Sequence, residues 1–70
     1  MKWNQRVYSS HVDRVGWDEE TSELVIEWKN GKTSAYAGVS EDLAQQVANA
    51  PSVGTMIHNQ IKGVYPHRYV

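Results

Sequence analysis

The chain of 70 residues has no cysteine, no phenylalanine, only two prolines, and no acidic residue after Asp42. Without cysteine there is no disulfide framework and no thiolate metal site. Without phenylalanine, aromatic bulk must come from three Trp and four Tyr, whose polar atoms need partners when buried. No apolar run approaches the ~18 residues of a membrane span. The start, Met1 to Arg6, lacks the apolar core of a signal peptide. A cytoplasmic protein without membrane association is therefore expected. The length allows a single domain, residues 1–70, with a core so small that every large side chain counts.

The acidic residues are unevenly spread. Residues 1–42 hold five Lys/Arg and all eight Asp/Glu, a net −3, whereas residues 43–70 hold only Lys62 and Arg68, a net +2. His58 and His67 lie in the same basic part and add charge at lower pH. Two fixed charges are a weak electrostatic footprint, and the plainer reading is uneven solvated charge.

Leu24, Ile26 and Trp28 alternate with Val25, Glu27 and Lys29, which places the first three on one face of a strand. Asn30-Gly31 then forms a hairpin turn, because both residues tolerate positive φ. Thr33 to Ala37 returns as the partner strand. Two registers are open. A two-residue turn pairs Trp28 with Thr33 and puts Tyr36 on the face opposite Leu24, Ile26 and Trp28. A type I turn with a glycine bulge at Gly31 pairs Trp28 with Lys32 and Leu24 with Tyr36, so Tyr36 shares their face. The bulged form is favoured because it gives Leu24 and Ile26 an aromatic neighbour.

Residues 1–8 read as a polar, flexible lead-in anchored by Trp3 and Val7. The alternation around Val15 and Trp17 predicts a strand, followed by the polar turn Asp18 to Ser22. Ser40 fits a helix N-cap, with Glu41 and Asp42 in the first turn and Leu43, Val47 and Ala50 as an apolar stripe. Pro51 ends that helix. Ser52 caps a second helix that buries Val53, Met56, Ile57, Ile61 and Val64, and Gly63 stops it. Tyr65 to Val70 is an extended tail that can dock along the sheet through Tyr65 and Tyr69.

The expected fold is α+β. A three-stranded antiparallel β-meander precedes two short α-helices packed on one face and an extended C-terminal tail. Leu43, Val47, Met56, Ile57 and Ile61 would pack on Leu24, Ile26 and Trp28.

No catalytic set emerges. Asp18, Glu19 and Glu20 sit in a polar turn with nothing to raise a pKa. Ser9-Ser10-His11 lacks an elbow motif and an orienting acid. No two of His11, His58 and His67 have the i, i+4 spacing of a helical metal pair, and no phosphate-binding glycine loop is present. Neither enzyme activity, nor a metal, nor a cofactor is expected. What remains is the outer face of the second helix, where Thr55, His58, Asn59 and Lys62 recur at i, i+3, i+4 and i+7. With Tyr65, His67, Arg68 and Tyr69 following, donors interleave with aromatic rings, as a surface for phosphates and unpaired bases requires. A solvated helix face gives the same pattern.

Read together, four segments resemble the KTSC domain family. They are Ser9-Ser10-x-Val12-x-x-Val15-Gly16-Trp17-Asp18, Leu24-x-Ile26-x-Trp28, Tyr36-x-Gly38-Val39 and Ile61-Lys62-Gly63-x-Tyr65-Pro66. The resemblance runs from about Val7 to Val70. The family that it resembles takes its name from a domain at the C-terminus of some lysyl-tRNA synthetases and also occurs free-standing in bacteria and phages. That context implies RNA binding. This chain departs from the family where a Tyr-x-Tyr becomes Ser34-Ala35-Tyr36 and a Phe-Asn becomes Ile57-His58. Lys62 stands where Lys or Arg is usual.

The leading expectation is therefore a non-enzymatic module for RNA or another nucleic acid. Lys62 and Arg68 would contact phosphate; His58, Asn59 and His67 would donate hydrogen bonds; Tyr36 or Tyr65 would stack. The alternative is a protein-interaction or self-associating accessory module, signalled by an exposed patch at Trp3, Trp17 or Tyr69. A small-nucleotide site ranks third, since it needs a closed pocket that a domain of this size seldom forms alone.

Overall fold

A computed structural model describes residues 2–70, so Met1 of the expected lead-in lies outside the described residues. Five antiparallel strands pair in chain order: β1 Trp3–Arg6, β2 Val12–Asp18, β3 Glu23–Trp28, β4 Thr33–Tyr36 and β5 His67–Tyr69. The expected three-stranded meander is the centre of this sheet, β2 to β4. The correction is one further strand at each edge. At one edge the tail docks beside β4 as β5, pairing Ser34 with Tyr69 and Tyr36 with His67.

At the other edge the polar lead-in is itself a strand. Trp3 pairs with Trp17 and Gln5 with Val15. The inward face of β1 is held largely by hydrogen bonds. Trp3 Nε1 and Lys2 Nζ both donate to Glu41 at 3.2 Å, and Gln5 Nε2 donates to the Ala48 carbonyl at 3.4 Å. A strand with one half-buried aromatic residue and three exposed polar ones shows no apolar alternation in sequence.

The hairpin takes the bulged register. Leu24 pairs with Tyr36 and Glu27 with Thr33. Trp28 N donates to Lys32 O at 2.9 Å, and Gly31 adopts φ +90°, a conformation glycine accepts without a Cβ penalty. Strand β2 carries a bulge between Val12 and Arg14. The extra residue, Asp13, lets both Val12 and Val15 reach the core, where each is fully buried.

Two helices cover one face. Helix α1, Glu41–Ala48, begins as expected, with Ser40 Oγ accepting from Leu43 N at 3.2 Å. Its buried residues are Ala44, Val47 and Ala48, with Leu43 half-buried at the margin. Helix α2, Val53–Met56, runs directly into a π-helical turn, Ile57–Ile61, closed by Lys62 N donating to Ile57 O at 2.8 Å. The Ser52 hydroxyl donates to Thr55 Oγ1 rather than capping α2.

The π turn buries Ile57 and Ile61 in the core cluster that also holds Leu24, Ile26 and Tyr36, and Met56 is partly buried. After it, Lys62 is extended and Gly63 turns left-handed. Val64 therefore falls out of helical phase and is exposed, against expectation. Among the described residues, no helix is long and apolar enough to cross a membrane.

Candidate nucleic-acid interface

On the helix-bearing face, sheet and π turn enclose a cleft of about 630 Å³. Strand periodicity selects its walls. Ser34 and Tyr36 on β4 face the helices, so their partners Tyr69 and His67 on β5 do too. Trp28, Asn30 and Lys32 come from the hairpin end, and His11 from the turn before β2. The opposite wall is Gly54, Ile57, His58, Lys62 and Gly63. All three histidines of the chain thus meet two lysines and two tyrosines, and among the described residues no Asp or Glu lines the cleft. No group of three or more His, Cys, Asp or Glu among the described residues is placed to hold a metal ion.

The aromatic side is a chain of rings. Tyr36 and His67 have centroids 5.0 Å apart at 46°, and His67 meets Tyr69 edge-on at 4.7 Å. Lys32 Nζ lies 5.7 Å from the Tyr69 ring centroid. Tyr69 is 66% exposed and Tyr36 only 5%. Burial, with Tyr69 beside it, pushes the Tyr36 phenol above its ordinary value and keeps it a neutral donor. Tyr36 therefore lacks the free ring face expected of it, and Tyr69 has one. Neither Lys32 nor Lys62 is in an ion pair among the described residues.

Of the seven expected site residues, Tyr36, His58, Lys62 and His67 line the cleft. Asn59 does not, because the π turn breaks the i, i+4 and i+7 spacing that placed it, with Thr55, beside Lys62. Tyr65 is half-buried against the core. Arg68 faces the other side of the sheet. Opposite Ala35, it donates from Nε and a terminal nitrogen to both carboxylate oxygens of Glu23, each at 3.0 Å.

That pair carries a pH signature. The hydrogen bond from Arg68, followed by one from Thr21, holds the Glu23 carboxyl below its usual 4.5 against the opposing effect of burial. A depressed folded value stabilises the fold above the unfolded value and loses that contribution as pH falls through the folded one. The urea midpoint is expected to drop on acidification below about pH 4.5, the ordinary carboxyl value. Arg68→Ala is expected to flatten that drop. Identical acid profiles for the two chains, followed by circular dichroism, would remove the pair from the account.

The KTSC domain family model matches residues 8–65. The chain belongs to the KTSC domain family. Among solved structures, the crystal structure of a KTSC domain protein from Yersinia pestis superposes with a TM-score of 0.88 at 31% identity. The match covers 97% of this chain and 96% of that one. No curated protein matches the chain.

Within this KTSC domain, the departure at Ser34 has a structural counterpart. Ser34 is buried, and its hydroxyl accepts from Trp28 Nε1 at 2.8 Å. Tyr69, expected as a ring of that surface, lines the cleft, whereas His11, Trp28, Asn30, Lys32, Ser34 and Ile57 are lining side chains that the sequence does not mark as part of the site. Period-two alternation in the tail was a usable signal. It separates His67 and Tyr69 from Arg68. The bulged register likewise sets Lys32 across from Trp28. The π turn has no comparable sequence signal.

Proposed function

We propose that this KTSC domain is a non-enzymatic binding module for unpaired nucleic acid, RNA foremost. The observation that carries the reading is the convergence of Lys32, Lys62, three histidines and the exposed Tyr69 ring in one cleft without a lining carboxylate. Lysines meet phosphate, the ring offers a base a stacking face, and the imidazoles and the Tyr36 hydroxyl supply hydrogen bonds. A double helix presents no free base face, so single strands are the better fit. The family's place at the end of some lysyl-tRNA synthetases agrees with this.

The test is a low-salt NMR titration of labelled protein with single-stranded RNA, duplex RNA and single-stranded DNA. Shifts are expected at His11, Lys32, His58, Lys62 and Tyr69, largest with single-stranded RNA. Lys32→Ala/Lys62→Ala is expected to weaken binding at least tenfold, and Arg68→Ala to leave it within twofold. Unchanged RNA affinity in the double lysine variant would sink the reading.

A further inference from the structure

We infer that the cleft recognises one unpaired nucleotide bearing a terminal phosphate, rather than an internal stretch of a strand. This rests on the nucleic-acid reading above and narrows it. Size is the first argument. At about 630 Å³ the cleft falls within the range of small-ligand pockets, roughly 300–1,000 Å³. Sequence-tolerant single-strand binders instead use grooves that track about 4–16 nucleotides per domain. The whole domain measures only 28 × 23 × 22 Å.

Charge is the second argument. An internal phosphodiester carries one negative charge, whereas a terminal phosphomonoester carries about −1.5 to −2 near neutrality and exposes three acceptor oxygens. Lys32 and Lys62 supply two fixed positive charges, with no lining carboxylate among the described residues to offset them. A monoester balances the net charge of the cleft; a diester leaves one positive charge unanswered. His58 lines the same wall as Lys62 and adds a donor.

The third argument is the shape of the wall beside Lys62. Gly63 lines the cleft at φ +81°, and a Cβ built there would meet nothing within 4 Å. The chain approaches the cleft at this point without a side chain. Gly63 is exposed and its N–H has no protein acceptor among the described residues, so it is open to solvent or to a ligand oxygen. The base then has Tyr69, whose ring is braced edge-on by His67 and flanked by Lys32.

Two sources share this chemistry, a free nucleoside monophosphate and the phosphorylated end of a strand. The experiment is an NMR titration of the full labelled chain at low salt. The probes are adenosine, inorganic phosphate, AMP, and triadenylate with a 5′-hydroxyl, a 5′-phosphate or a 3′-phosphate. AMP or a phosphorylated trimer is expected to bind about tenfold more tightly than the hydroxyl trimer, with adenosine and phosphate each weaker than AMP. Lys62→Ala is expected to erase the advantage of the phosphorylated ligand, and Tyr69→Ala to weaken AMP while sparing inorganic phosphate.

AMP matching the best trimer assigns the free nucleotide; a phosphorylated trimer tighter than both AMP and the hydroxyl trimer assigns a strand end. Equal affinity for hydroxyl and phosphorylated trimers, with AMP weaker than either, overturns the inference and leaves the nucleic-acid reading standing. Silence from every probe and from longer RNA overturns both.

Discussion

A Trp17→Ala chain is expected to lose about 3–5 kcal/mol of stability, as large-to-small changes at buried aromatic positions do. Trp17 is 9% exposed and is the penultimate residue of β2, between Trp3 and Leu24 on the neighbouring strands. Its Nε1 donates to the Val39 carbonyl at 2.9 Å. That bond ties the sheet to the segment that enters α1, where Val39 itself is fully buried. The side chain therefore fills the core and holds the crossover between layers.

Small domains have native stabilities toward the lower end of about 5–15 kcal/mol, so the loss takes a large fraction of the total. At roughly 4–8 °C per kcal/mol for a domain of this size, the midpoint should fall by more than about 12 °C. Trp17→Phe separates the two roles. It keeps most of the packing but leaves the Val39 carbonyl without its donor, a loss of about 1–3 kcal/mol. Thermal unfolding followed by far-ultraviolet circular dichroism reads both variants without relying on the deleted fluorophore. A Trp17→Ala midpoint within a few degrees of the parent would show that the core repacks around the gap.

The legible parts of this fold are those where apolar side chains decide the structure. Leu24 and Ile26 announce a central strand, Asn30-Gly31 its turn, and Ser40 followed by Glu41 and Asp42 a helix start. Aromatic pairing chose the bulged register correctly, and with it the face of Tyr36. What escaped was held by polar contacts or by non-standard helical geometry.

Strand β1 docks by its ladder to β2 and by the Trp3 and Gln5 hydrogen bonds, with Trp3 its one partly buried side chain, so no periodicity betrays it. The π turn changes the phase of the second helix between Met56 and Lys62, and a 3.6-residue reading of Thr55, His58, Asn59 and Lys62 then fails for two of the four. Nearness in sequence groups Arg68 with His67. In a strand, nearest neighbours face opposite ways, and Glu23 occupies its guanidinium on the far side. The site was half visible: its helix wall was read, and its hairpin wall needed the tail docked against β4.

The corrected wall changes what should be measured in solution. With Lys32 and Lys62 neutralising the two negative charges of a terminal phosphate, log affinity for a single-stranded RNA that ends in a phosphomonoester should fall against log salt with a slope of about −1.4, from roughly −0.7 per neutralised charge. Raising salt fourfold then weakens binding about sevenfold by the same relation. Lys62→Ala should bring the slope to about −0.7, since one contact remains. Lys32→Glu/Lys62→Glu should abolish measurable binding, because the cleft then presents two carboxylates to the phosphate. Both lysines are exposed and outside any ion pair among the described residues, so their replacement should leave the amide spectrum of the core intact.

Arg68 provides the internal control. Its charge is already answered by Glu23, and Arg68→Ala should preserve the slope while altering acid stability. A slope steeper than about −3 in the parent chain would require four or more phosphate contacts, more than the cleft's two lysines can make. The strand would then be tracking cations elsewhere on the domain, and the cleft would no longer be its main seat.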